Sequence, residues 1–240
     1  MSLDALTFGR LRGFGASDRV LLLLSIASSA IYWLTASAPF PGRVWVKALS
    51  IATLAVLAFR LLREEAHGRE WLRDHDNTIL GAALVFSCLG DVLLDLDGER
   101  LFVQGLLAFL TAHFLYILLF VRNWPRPLRP GGRQLLLVAA ILLTSLLLAN
   151  WFAPSLGTFA KPVMLYLCVI TVMTVTATLA GFSTRWIVAG ALLFLISDAL
   201  IATHKFKTPV PGRDFLVWST YYLGQYGIAI GFLREKRGEG

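Results

Sequence analysis

The chain has 240 residues, of which 57% are hydrophobic and 15% charged, with a net charge of +7. Soluble domains average about 45–50% apolar and about 25% charged residues, so a water-soluble globular enzyme and a disordered chain are both excluded. The positive charge is not a nucleic-acid signature, because Lys and Arg sit between long apolar runs rather than on one basic face; no nucleic-acid partner is expected. Cys88 and Cys168 fall inside apolar runs and read as small buried residues, not as a disulfide or a metal site.

Eight apolar segments follow in chain order, at 20–38, 43–62, 78–96, 101–121, 134–152, 162–180, 184–203 and 215–233. Each is near the length that crosses a hydrocarbon layer about 30 Å thick at about 1.5 Å per residue. Backbone polar groups find no water in lipid, and these runs do not alternate as barrel strands of about ten residues do, so they are helices. The predicted fold is all-α, a polytopic membrane protein with eight transmembrane helices forming one integral membrane domain over 1–240. Pro39-Phe40-Pro41-Gly42, Asp97-Gly98-Glu99-Arg100, Pro130-Gly131-Gly132 and Pro209-Val210-Pro211-Gly212 punctuate it. The first run ends Ala36-Ser37-Ala38 like a secretory signal, but Pro39 would follow the cleavage point, so the run is read as a retained helix.

Of the 22 Lys and Arg, 15 fall on the side of the termini, 6 on the opposite side, and Lys47 within a span. The positive-inside rule then places both termini in the cytoplasm. The compact chain suggests a bacterial plasma (inner) membrane.

Ionisable residues at depth are the informative ones, because each costs about 2.5–3.5 kcal/mol at the centre of a span on insertion scales. Lys47, Asp91, His113 and Asp198 qualify. Helix rise puts Lys47, Asp91 and Asp198 in one outer layer, about 6–8 Å deep, and His113 deeper, about 18 Å from the outer end. Tyr166, Tyr221, Tyr222 and Gln225 reach the same layer. Tyr221 and Gln225 share a helix face, as do Ser87, Asp91 and Asp95. Simpler readings stand beside these: Lys47 snorkels to the headgroups, Asp95 is a solvated acid, the tyrosines are interfacial, His113 bonds to a neighbouring helix, and Gly227 and Gly231 serve helix packing. An ion pair of Lys47 with the aspartates is another.

Two carboxyl groups at matched depth suit acid–base chemistry. One can hold a proton at neutral pH while the other, paired with Lys47, stays ionised. The motifs of serine hydrolases, P-loops, dinucleotide-binding folds and zincins are missing. Of the four histidines, His67 and His75 fall in a cytoplasmic loop and only His113 lies well within a span, so a three-histidine intramembrane zinc site cannot be assembled.

Ser87-Cys88-Leu89-Gly90-Asp91 is followed by Gly105, Phe109, His113 and Tyr116, then by Ser197-Asp198-Ala199-Leu200 and by Tyr221-Tyr222-Leu223-Gly224-Gln225. Together these resemble the YhhN-like family of integral membrane proteins, which includes lysoplasmalogenases. The resemblance covers spans 2 to 8. It implies hydrolysis of the vinyl ether bond of a lysophospholipid, giving a fatty aldehyde and glycerophosphoethanolamine or glycerophosphocholine, without metal or organic cofactor. It carries the functional aspartates over to Asp91 and Asp198, with Lys47, Tyr166 and the span-8 tyrosines and glutamine at family positions. Lys47-Ala48-Leu49 departs from the family's frequent Lys-Pro-Leu, which removes a kink. The expected assignment keeps Asp91 ionised beside Lys47 and lets Asp198 donate the proton. Lys47, or the Arg and Lys of the 7–8 loop, would meet the phosphate on the non-cytoplasmic side. The competing reading is a proton- or ion-coupled transporter that uses the buried Asp and Lys residues as its relay.

Overall fold

The computed structural model describes residues 14–38, 40–65 and 75–237. Pro39, His67 and, from the charge count, Arg10, Arg12, Arg69 and Arg73 lie outside the described residues. Eight long helices account for most of the rest: α1 (Ala16–Leu34), α2 (Arg43–Glu65), α3 (Asp76–Leu96), α4 (Phe102–Arg122), α5 (Gly132–Phe152), α6 (Ala160–Leu179), α7 (Trp186–Phe206) and α8 (Arg213–Lys236). Two single 3₁₀ turns, Ala153–Ser155 and Gly157–Phe159, join α5 to α6. The described residues contain no strand.

Helix ends follow local chemistry. The Asp18 side chain accepts the Gly15 amide at 3.1 Å and Gln134 accepts that of Gly131 at 2.9 Å, so α1 and α5 each satisfy an orphan donor at their start. Asp97 accepts the amides of Glu99 and Arg100 at 3.2 and 2.9 Å, which makes the α3–α4 turn. α1 starts and ends four residues earlier than the sequence predicts. The Thr35 hydroxyl bonds back to the Ile31 carbonyl at 2.7 Å, and the chain turns there. α2 runs unbroken through Ala48, as the absence of proline predicts.

Seven of the helices, α1 to α7, are long and apolar enough to cross a membrane. Eight were expected. The exception is α8, whose length suffices but which carries Tyr221, Tyr222, Gln225 and Tyr226. Most of its core-facing residues are covered by protein, including Trp218, Gln225, Ile228 and Phe232, so its solvent is the bundle rather than lipid. α5 is the opposite case. It packs chiefly on α6, only thinly on α7, and turns Leu136, Leu143, Leu146 and Leu147 outward. Cys88 is half-buried, with its thiol directed at the Ala48 carbonyl at 3.4 Å, whereas Cys168 is exposed on α6; the expectation of two buried thiols fails for the latter. The lipid-facing surface of a span is apolar in any case, so an apolar run does not reveal which face is covered.

The tightest contact joins α7 and α8. A Cβ on Gly190 would lie 2.6 Å from the Gly224 carbonyl oxygen and 2.8 Å from the Ile228 amide nitrogen. Gly227 and Gly231 face Trp186 and Ile187 in the same seam, so the glycine pair does serve packing. This close approach fixes the rotation of α7, and with it the direction of Asp198. Gly190→Val should therefore lower stability by about 1–3 kcal/mol through overpacking. Gly132→Ala, at a position with nothing within 4 Å, should not. Thermal unfolding in detergent measures both, and equal midpoints would contradict the seam.

Candidate active site

Five helices build the first group. Lys47 of α2 places Nζ 3.5 Å from Asp91 Oδ1 and 3.6 Å from Asp95 Oδ1 on α3. The two aspartates are four residues apart, so one ammonium meets both on one helix face. Asp91 also accepts the Tyr221 hydroxyl at 2.6 Å, and Asp95 that of Tyr32 at 2.7 Å. The chain of bonds continues inward: Gln225 Nε2 donates to Tyr221 at 3.4 Å, and the Tyr116 hydroxyl donates to Gln225 Oε1 at 2.6 Å. Asp91, Tyr116, Tyr221 and Gln225 are all buried. Removed from water, a carboxylate needs such partners. The Arg43 guanidinium lies over the Tyr32 ring of this group, 3.8 Å from its centroid.

Asp198 of α7 heads the second group. Its Oδ2 accepts a hydrogen bond from the Tyr166 hydroxyl of α6 and lies 3.9 Å from His113 Nε2 of α4. Among the described residues, none hydrogen-bonds Oδ1 and no lysine or arginine pairs with Asp198. His113 is fully buried, its Nδ1 on the Phe109 carbonyl. A carbonyl only accepts, so Nδ1 carries the proton and neutral His113 offers a lone pair at Nε2. That atom has no hydrogen-bond partner among the described residues. Phe194 and Tyr166 flank the ring at 4.8 and 5.2 Å between centroids.

Asp198 and Tyr166 form the polar part of an otherwise apolar cavity. Phe102, Leu106 and Phe109 of α4, Leu148 and Phe152 of α5, Ile170 of α6 and Ala199 and Ala202 of α7 line it. Asp91 does not line this cavity. Phe109 and Phe194 stand between the groups, each in ring contact with Tyr221 at 5.8 and 5.2 Å. Gly90, in the Gly-Asp motif, admits the Phe109 ring: a Cβ there would come within 2.6 Å of it.

The structure thus brings together Lys47, Asp91, Tyr221 and Gln225 in one group, and Asp198, His113 and Tyr166 in the other. Tyr222 joins neither. Its hydroxyl shares a 2.9 Å hydrogen bond with Ser25 on α1. His113 was expected deeper than Asp198 but meets it, because α7 continues to Phe206 and sets Asp198 farther from the helix end. Sequence reasoning missed Tyr32 and took Asp95 for a solvated acid. The four-residue step from Asp91 to Asp95 was the available signal.

The family model described as the YhhN family matches residues 42–232. The chain belongs to the YhhN family. The match takes in every residue of both groups except Tyr32. Among curated proteins, "Lysoplasmalogenase TMEM86A" of Bos taurus is 35% identical over 215 residues, 86% of this chain and 84% of that protein. "Lysoplasmalogenase TMEM86B" of Homo sapiens is 35% identical over 157 residues, 65% and 64% of the two chains. "Lysoplasmalogenase" of Mycobacterium tuberculosis (strain CDC 1551 / Oshkosh) is 33% identical over 153 residues, 62% and 58%. No solved structure matches.

Removing one member of the buried pair tests the first group. Lys47→Met leaves two carboxylates without their cation and should cost about 3–5 kcal/mol of stability. Adding Asp91→Asn should restore part of it, because the charge that needed Lys47 is gone. Denaturant titration of the two variants checks this; a double variant no more stable than Lys47→Met would contradict the pairing.

Proposed function

We propose that this YhhN-family chain is a lysoplasmalogenase: it hydrolyses the vinyl ether bond of a lysophospholipid to a fatty aldehyde and glycerophosphoethanolamine or glycerophosphocholine. The observation that carries the reading is Asp198, a carboxyl group without a cation partner at the polar spot of an apolar cavity, in a chain whose relatives bear that name. The relatives give no support to a transporter.

Asp198 is the acid. Tyr166 and His113 both approach Oδ2, which leaves Oδ1 to carry a proton toward the cavity. That proton goes to the alkenyl carbon remote from oxygen, and the ether carbon becomes an oxocarbenium ion. Water adds to that carbon and loses a proton to the Asp198 carboxylate. The hemiacetal then collapses to aldehyde and alcohol. Tyr166 is a positioning residue: its hydrogen bond to Oδ2 strengthens once the carboxyl is ionised. His113 Nε2 accepts a hydrogen bond from the attacking water and aims it, while the proton itself goes to Asp198. The Asp91 carboxylate stands on the side of the developing cation beyond Phe109 and Phe194, as fixed charges stabilise a transition state in a site shielded from water. The parallel is with glycosidases, which pass through an oxocarbenium-like state between two carboxyl groups.

The lipid chain reaches the cavity from the bilayer through the thin α5–α7 contact. The positive-inside count supports both termini in the cytoplasm of a bacterial plasma membrane, with the site opening on the other side. The whole chain acts as one integral membrane domain.

Purified protein in detergent, given a lysoplasmenylethanolamine, should release aldehyde. Asp198→Asn should lower the rate about 10²–10⁴-fold, the range for a lost general acid. His113→Gln, which keeps an acceptor near Nε2, should retain more activity than His113→Phe. Wild-type turnover by Asp198→Asn, or equal rates for the two His113 variants, would remove that residue from the mechanism. Leu148→Trp, which fills the cavity from α5, a helix that carries no residue of either group, should abolish turnover in a folded protein. Undiminished turnover would place the reaction elsewhere.

A further inference from the structure

The outer end of the cavity carries features that the chemistry at Asp198 does not use. Phe102 and Phe206 line it, and with Phe159 they form a ring of three aromatics, pairwise 5.6 to 6.0 Å apart between centroids. Lys205 lays its ammonium over this collar, 4.5 Å from the Phe102 centroid, and pairs with Glu99 at 3.3 Å. The Lys205 side chain is only 18% exposed, while that of Glu99 is 90% exposed. Lys205 follows Asp198 by seven residues on α7. It therefore stands on nearly the same helix face, about 10 Å nearer the outer end.

The other cations offered for a phosphate do not stand on this collar: Lys207 lies over the Trp151 ring, 5.6 Å from its centroid. Lys47 is held between Asp91 and Asp95, and Arg213 pairs with Asp214 at 2.8 Å. Lys205 has one partner, and that partner is a solvated carboxylate on a turn. Exposed pairs of this kind contribute little and exchange readily.

We propose that Lys205 and Glu99, mounted on the Phe102–Phe159–Phe206 collar, are the headgroup site, and that it takes a phosphodiester monoanion followed by an ammonium group. The phosphate replaces Glu99 on Lys205, and the ammonium meets the Glu99 carboxylate and the aromatic faces. The match is one of sequence of charge. Going outward, the protein presents plus then minus, and a glycerophosphoethanolamine or glycerophosphocholine headgroup presents minus then plus. An anionic headgroup finds Glu99 opposed to it. This inference rests on the proposed reaction for the identity of the lipid, but its test does not need turnover.

Binding of a non-hydrolysable 1-alkyl lysophosphoethanolamine is measured on wild type, Lys205→Ala, Glu99→Lys and the control Arg100→Gln. Arg100 is exposed and, among the described residues, forms an ion pair only with Asp97 in the same turn. Lys205→Ala should weaken binding about tenfold, and Arg100→Gln should leave it unchanged. Glu99→Lys should weaken the ethanolamine lipid and strengthen its phosphoglycerol counterpart, so that the ratio of the two affinities changes at least tenfold. Inorganic phosphate at millimolar concentration should not compete, which separates a lipid site from a free-phosphate site. In turnover, Lys205→Ala should raise KM rather than lower kcat. Unchanged affinity in Lys205→Ala, or an unchanged headgroup ratio in Glu99→Lys, overturns the proposal. Wild-type binding without aldehyde release would instead count against the reaction and leave the headgroup site standing.

Discussion

The ion pair between Lys47 and Asp91 is the constraint on which the rest depends. A carboxylate buried among helices is costly unless a cation and hydrogen-bond donors surround it. Asp91 has Lys47 on one oxygen and Tyr221 on the other. Those partners draw α2, α3 and α8 to one point, and the bonds from Tyr221 through Gln225 to Tyr116 extend the connection to α4. With Lys47 held by Asp91 and Asp95, Asp198 is left without a lysine or arginine partner among the described residues. The proposed division of labour between the two aspartates rests on that arrangement.

Packing then aims Asp198. The glycine seam fixes α7 against α8, and α6 supplies Tyr166 from the other side. Phe109 and Phe194 fill the space between the groups, so only one carboxyl faces the cavity. An aromatic partition has a chemical use. In the proposed mechanism it lets the Asp91 carboxylate act on the reacting centre while keeping the hydrogen bonds of the Lys47 group out of the substrate's reach.

Much of this was legible in the sequence. Apolar runs of about twenty residues fix the existence of the helices, because lipid leaves the backbone no alternative. The acids in the Gly-Asp and Ser-Asp motifs, and the shared face of Tyr221 and Gln225, follow from cost and from four-residue spacing. What was not legible is the rotation of each helix against its neighbours. Tyr221 and Tyr222 are adjacent in sequence but about 100° apart around α8, so one meets Asp91 and the other meets Ser25. Nothing in the local pattern says which. The same holds for Asp95, whose partners Tyr32 and Lys47 come from two other helices. α8 itself shows the limit from the other side, since a helix wrapped in protein need not be as apolar as one wrapped in lipid.

The account requires a neutral carboxylic acid at Asp198 and a carboxylate at Asp91 in the same resting protein. Infrared difference spectroscopy of the purified protein against its Asp198→Asn and Asp91→Asn variants reads this directly from the C=O stretch of a protonated carboxyl group. The account predicts a band that disappears in Asp198→Asn and persists in Asp91→Asn. A band that survives loss of Asp198, or that vanishes with Asp91, would contradict it.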